Sequence, residues 1–167
     1  MHTSIRIINL LQKHWPEVRQ IYEQGIATGV ATFETETPEW DDWNKSHLKV
    51  CRFVAIMEKK VVGWAALSPV SSRCVYDGVG EISIYIHQDY RGKQIGKALL
   101  SRLIGSSEEK GLWTLQAGIM PENTSSIRLH ESLGFRQVGY REKIGKFQGE
   151  WKDNILMERR SQAVGLD

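Results

Sequence analysis

The chain has 167 residues, 41% of them apolar, with six tryptophans; that is enough to bury one core and argues against disorder except in the polar end after about residue 161. A formal net charge of +2 is too small for a surface that binds nucleic acid by bulk electrostatics, so any polyanion has to be met locally. Cys51 and Cys74 are the two cysteines, with no CxxC or Cys/His cluster of metal-ligand spacing, and neither an apolar signal core nor a membrane-length stretch is legible. The expectation is one domain over residues 1–160 and a polar tail over 161–167. The further expectation is a cytoplasmic protein with reduced thiols, a single disulfide being the weaker reading, and with no metal and no nucleic-acid or membrane partner.

IRIINL predicts a first strand, with Ile5, Ile7 and Leu10 as its apolar residues. A helix follows in KHWPEVRQIYEQGIATG. Pro16 suits its first turn, Val18, Ile21, Tyr22 and Ile26 form its apolar stripe, and Gly25 and Gly29 loosen its end. TPEWDDWNKSHL predicts a second, short helix with Thr37 as N-cap before Pro38. RFVAIMEKKVVGWAALSPV predicts two strands joined at residues 58–60, and residues 68–80 form a loop. EISIYI alternates as another strand. A helix with Ile95, Leu99 and Leu103 at a spacing of four follows and stops at Gly111. LWTLQAGI is a strand, and PENTSSIRLHESLG a helix capped by Asn123 and ended by Gly134. FRQVGYREKIG and EWKDNILMER close the chain as two strands. Trp15, Trp64 and Trp113 are assigned to the core. The order β-α-α-β-β-β-α-β-α-β-β predicts an α/β (α+β) fold with a mixed sheet flanked by helices, unlike a repeated βαβ dinucleotide fold.

HQDYRGKQIGKALL, residues 87–100, sets two glycines and three cations at a strand-to-helix junction. It is not a P-loop, because Gly92 and Gly96 have three residues between them and Ala98 follows Lys97. A bland alternative is a tight turn with solvated lysines. The sharper reading uses two physical facts. A helix N-terminus offers unpaired N–H groups and partial positive charge to an anion, and glycine lets a phosphate approach the backbone. Arg91, Lys93 and Lys97 add charge around a site suited to a pyrophosphate.

DYRGKQIGKALL resembles the acyl-CoA-binding turn of the GNAT superfamily of N-acetyltransferases. That turn has Arg or Gln, two residues, Gly, one residue, then Gly or Ala. Arg91 and Gly96 match its ends, and Gln94 stands where the middle glycine is expected. NTSSIRLHESLGF resembles the later motif of the same family, with Asn123, Ser126 and His130 on one helix face. TGVATFETETPEW, SPVSSRCVYDGVGEISIYI and GKFQGEWKDNILMER resemble the phosphinothricin and methionine sulfoximine N-acetyltransferase branch, over about residues 5–159.

The resemblance implies a GNAT-like, mostly antiparallel sheet, acetyl-CoA as cofactor, a small amino-acid-like amine as acceptor, and a homodimer. For the cofactor it implies residues Ile84, Tyr85, Ile86, Arg91, Gly92, Lys93, Gln94, Ile95, Gly96, Lys97, Asn123 and Ser126. A backbone N–H near Tyr85 and Ile86 would meet the oxyanion. For the acceptor it implies Phe33, Glu34, Arg73, Tyr76 and Glu81, with Arg73 on the carboxylate. Ser71 stands where the branch often has a second arginine.

Acyl transfer to an amine needs a neutral amine, a stabilised oxyanion and a proton for the departing thiolate. An α-amino group with a pKa of about 8 is only roughly one-tenth neutral at pH 7. Glu81 opens the strand EISIYI and shares a face with Ser83 and Tyr85, opposite Ile82, Ile84 and Ile86. It is the first candidate base, expected in a partly apolar cleft on the substrate side. His130 either protonates the thiolate or helps deprotonate the amine, and Tyr85 is a further acid candidate. Cys51 and Cys74 have no activating partner in sequence, which disfavours an acyl-enzyme. Two alternatives stay open. One is the same chemistry on a protein N-terminus, polyamine or aminoglycoside; the other is a non-catalytic acyl-CoA sensor.

Overall fold

The computed structural model describes residues 4–167. Its strands are β1 (Arg6–Asn9), β2 (Phe53–Met57), β3 (Lys60–Pro69), β4 (Val79–Ile86), β5 (Thr114–Ile119), β6 (Arg136–Phe147) and β7 (Glu150–Arg160). Its helices are α1 (Trp15–Ala27), α2 (Trp40–Ser46), α3 (Ile95–Glu109) and α4 (Thr124–Ser132). The order along the chain is the expected one.

The seven strands form one sheet in the order β1-β2-β3-β4-β5-β7-β6. Every pair is antiparallel except β4–β5. The β2–β3 hairpin turns on Glu58 and Lys59, both at positive φ (51° and 65°), the left-handed pair that a two-residue turn requires. The last hairpin folds back so that β7, not β6, lies beside β5.

Two apolar layers sandwich the sheet. On one face Leu99, Leu100 and Leu103 of α3 are fully buried against Ala65, Leu67 and Ile82. On the other, Val18 and Ile21 of α1 and Trp43 of α2 close over Val54, Trp64 and Ala66. Each fully buried Leu or Ile contributes about 1.5–3 kcal/mol. Trp113, assigned above to the core, is only half-buried, with its ring against Gly78, where any Cβ would sit 2.0 Å from it.

Thr37 does not cap α2. The helix begins three residues later with Glu39 as N-cap, and the Thr37 hydroxyl instead accepts a hydrogen bond from Arg19 Nε (3.1 Å). The polar tail is tied down. Arg160 donates to the carbonyls of Ser161 and Val164 (both 2.9 Å), and Ser161 Oγ donates to Glu108 (2.8 Å). Both cysteines are free thiols, Cys51 buried and Cys74 exposed. Among the described residues no helix is long and apolar enough to cross a membrane.

Candidate active site

The sheet opens in its middle. β4 pairs with β5 at only three positions, Val79↔Thr114, Gly80↔Leu115 and Glu81↔Gln116. Past Glu81, β4 stays paired with β3 to Ile86, and β5 with β7 to Ile119. The N–H of His87 donates to the C=O of Val62 (2.9 Å), which fixes the phase of the β3–β4 ladder. Glu81, Ser83 and Tyr85 turn their backbone groups to β3, and the even-numbered residues turn theirs toward β5. The bonds from Trp113 and Thr114 N–H to Gly78 C=O (2.8 and 3.1 Å) have the same parity. The backbone groups of Ile84 and Ile86 therefore face the gap. Those of Tyr85 do not, so a backbone donor for an oxyanion comes from Ile84 or Ile86.

Two cavities meet at this gap. The first, about 600 Å³, runs from Ile84, Tyr85 and Ile86 along the start of α3 to the start of α4. Its wall includes Arg91, Gly92, Gln94, Ile95, Gly96, Lys97, Asn123 and Ser126. Helix α3 has 15 residues, no side-chain cap and no acidic residue in its first turn. Its first N–H groups are left for an anion, with Arg91 and Lys97 beside them. Gln94 is its N-cap at φ 64°, ψ 11°. This left-handed conformation is why a glycine is expected there and why a non-glycine residue carries strain of about 1–2 kcal/mol. Lys93 does not line the cavity; its ammonium lies 4.8 Å over the ring of Tyr90.

The second cavity, about 540 Å³, shares Ala31, Ile84, Tyr85, Asn123 and Ser126 with the first. Phe33, Glu34, Glu81 and His130 line it. Glu81 is exposed rather than set in an apolar cleft, and Gln116 Nε2 donates to its Oε2 (3.0 Å). Only the Glu81–Ser83 end of that strand face is open. Tyr85, two residues on, lies under α1, packed between Trp64 (5.0 Å) and Tyr22 (4.9 Å). Burial pushes the Tyr85 phenol well above its ordinary value, so it stays protonated.

His130 is 1% exposed and packs edge-on to Phe135 (5.0 Å). Its Nδ1 lies 2.7 Å from the C=O of Ser126. A carbonyl only accepts, so Nδ1 carries the proton and Nε2 the lone pair. Nε2 is itself buried and has no partner among the described residues. Burial lowers the His130 pKa below the usual imidazole value, with the Ser126 bond opposing in part, so the ring is neutral at neutral pH.

Arg73 and Tyr76 are not brought to either cavity. Both are exposed, in a short 3₁₀ turn of the β3–β4 loop, with the guanidinium 5.7 Å over the Tyr76 ring. The cations that do line the second cavity are Arg141 and Lys146, both on β6, beside Asn154 of β7. The sequence reading missed these, and also Thr28, Ala31 and Thr32 of the segment after α1. A glycine inside strand β5, Gly118, was the available signal, because such a glycine marks close approach of another group.

The acetyltransferase (GNAT) family profile matches residues 7–135 of this chain. The chain belongs to that family. An L-amino acid N-acyltransferase, MnaT, of Escherichia coli strain K12 is 30% identical over 146 residues, 84% of this chain and 85% of the relative. A phosphinothricin N-acetyltransferase of Alcaligenes faecalis is 32% identical, over 86% of this chain and 76% of its own length. A GNAT superfamily phosphinothricin acetyltransferase from Sinorhizobium meliloti, solved in complex with AcCoA, superposes with a TM-score of 0.83 at 30% identity. That superposition covers 100% of this chain and 97% of the other. The protein is an acetyl-CoA-dependent N-acetyltransferase, and the uncapped start of α3 beside an apolar channel fits that donor.

Proposed function

We propose that the protein acetylates the α-amino group of a small amino acid or amino-acid analogue, of the methionine sulfoximine or phosphinothricin type, by direct attack on the thioester of acetyl-CoA. One observation carries the reading. A cavity ending in an uncapped helix start meets, at a gap in the sheet, a second cavity that holds carboxylates and guanidinium together. Carboxylates suit an ammonium and a guanidinium suits a carboxylate, the two charges of an amino acid. The names of the relatives agree with that acceptor class.

In the first cavity, the N–H groups at the start of α3, with Arg91 and Lys97, hold the pyrophosphate. Asn123 and Ser126 line the pantetheine arm, and an N–H of Ile84 or Ile86 meets the oxyanion. Acetyl-CoA supplies an activated acyl group with a thiolate leaving group. Glu81, open to solvent, takes the first proton from the acceptor ammonium and releases it to water. After attack the nitrogen holds one proton too many. Nε2 of His130 has a free lone pair but is buried in this structure; once a small shift of the cavity wall uncovers it, it accepts that proton and returns it to the departing thiolate, so that CoA leaves as the thiol. Tyr85, kept protonated by burial, is the further candidate donor for the thiolate. Exposed Val138, Tyr140, Ile144 and Trp151 on the edge hairpin β6–β7 support the homodimer, and two free thiols support a cytoplasmic setting.

The test is thiol release from acetyl-CoA against methionine sulfoximine, methionine sulfone, phosphinothricin, common amino acids, polyamines and an N-terminal peptide. Turnover confined to amino acids and their analogues is the expected result. Turnover only on polyamine or peptide would discard this acceptor class, and binding of acetyl-CoA without any turnover would favour a sensor.

A further inference from the structure

The second cavity contains a built anion site. Arg141 of β6 and Asn154 of β7 are directly paired across the ladder. Asn154 is 5% exposed, and its Oδ1 accepts a hydrogen bond from Nη2 of Arg141. Gly118 of β5 makes the room. A Cβ there would lie 3.0 Å from both amide heteroatoms of Asn154 and 3.3 Å from Arg141 Nη2. Three strands thus converge to aim one guanidinium, and all three residues line the cavity.

The choice of partner matters. Asn154 is neutral, so it fixes the guanidinium without cancelling its charge. Among the described residues no carboxylate lies within ion-pair distance of Arg141. Four of its five N–H donors remain after the Asn154 bond. Lys146, the other cation of this wall, is turned aside, with its ammonium 4.8 Å over the Trp151 ring. Glu34 and Glu81 supply the opposite charge elsewhere in the same cavity.

We propose that Arg141, oriented by Asn154 in the space left by Gly118, binds the carboxylate of the acceptor and sets the specificity for α-amino acids, a role that Arg73 does not fill. This rests on the amino-acid reading of the acceptor site given above. A planar guanidinium held at one end presents its remaining fork to a carboxylate in two-point contact. The acceptor amine is then left to the carboxylates. A polycation would meet Arg141 as a repulsive wall.

The experiment compares methionine sulfone with its decarboxylated amine, 3-(methylsulfonyl)propylamine, on the wild-type protein and on Arg141→Gln, Arg141→Lys, Asn154→Asp and Arg73→Gln. Thermal melting checks that each variant is folded. In the wild type the carboxylate-bearing acceptor is preferred. Arg141→Gln raises KM for methionine sulfone about 10–100-fold, the range for loss of a charged hydrogen-bonded contact. It leaves KM for acetyl-CoA unchanged and changes KM for the decarboxylated amine much less than KM for methionine sulfone. Arg141→Lys restores part of the loss. Asn154→Asp keeps the geometry but neutralises the charge, so it also raises KM, which a merely structural Asn154 would not do. Arg73→Gln has little effect. Good turnover of methionine sulfone with unchanged KM in Arg141→Gln, or a large effect of Arg73→Gln alone, overturns this inference and leaves the amino-acid reading standing. A wild-type preference for the decarboxylated amine overturns both.

Discussion

Gly25 of α1 sits against the ring that joins the two cavities. A Cβ at this position would lie 2.5 Å from Cδ1 and 2.7 Å from Cε1 of Tyr85. Carbon atoms pack at about 3.5–4.0 Å, so Gly25→Ala requires the ring to retreat by about 1 Å. Retreat is resisted, because the Tyr85 ring is stacked at 5.0 Å on Trp64, which is fully buried. Two effects compete. Replacing this glycine, in the last turn of α1, by alanine favours the helix by at most about 1 kcal/mol. Overpacking a filled site costs about 1–3 kcal/mol. With a pinned ring the second wins, and the net loss reaches about 2 kcal/mol. For a chain of this size that lowers Tm by about 2–4 °C per kcal/mol. The displaced ring also narrows the passage between the cavities, since Tyr85 lines both. Calorimetric melting with steady-state kinetics on the same preparation reads both effects. A lower Tm together with higher KM values is expected; a Tm raised by several degrees with unchanged kinetics would refute the reasoning.

Glu81→Gln lowers kcat by about 10²–10⁴-fold with KM for acetyl-CoA unchanged, as read by steady-state kinetics; an unchanged kcat would remove Glu81 as the base. His130, His14 and His47 all have pKa values lowered mainly by burial. The unfolded chain therefore binds more protons between each lowered value and about 6.5, and stability is full above that pH and falls below it. Each histidine contributes a slope of up to about 1.4 kcal/mol per pH unit. Denaturant titrations at pH 7.5 and 5.5 measure it, and greater stability at pH 5.5 would contradict the burial argument. Gln94→Val places a β-branched residue at φ 64°, which raises the left-handed strain. It should raise KM for acetyl-CoA while KM for the acceptor is unaffected, as measured by separate saturation curves.

Local pattern carried most of the fold. The alternation of EISIYI, the Leu99–Leu103 stripe of α3, the Asn123 cap, whose Oδ1 accepts from Ser126 N–H (3.4 Å), and the turn at Glu58 and Lys59 are all short-range chemistry. The turn from Arg91 to Lys97 was legible for the same reason, because a strand end, a glycine and an uncapped helix are neighbours in sequence. Long-range assembly was not legible. Tyr85 shares a strand face with Glu81, yet α1 covers one and leaves the other open. Nothing in the residues between them reports that. Arg141 looks like Arg136, one strand residue among polar neighbours. It reaches the cavity only because β7 inserts between β5 and β6, bringing Asn154 and Gly118 to its side. Arg73 shows the opposite case. Its loop is close to Glu81 in sequence but turns outward, with its guanidinium over Tyr76.

The central claim is that the two cavities hold donor and acceptor and meet at the gap between β4 and β5. A crystal structure with CoA bound tests it most directly. The account predicts the pyrophosphate on the N–H groups at the start of α3, with Arg91 and Lys97 beside it. The sulfur should lie in the gap, within reach of the Ile84 or Ile86 amide and of His130. CoA bound instead in the separate cavity walled by Cys51, Arg102 and Lys110, or a sulfur lying outside the gap, would contradict it.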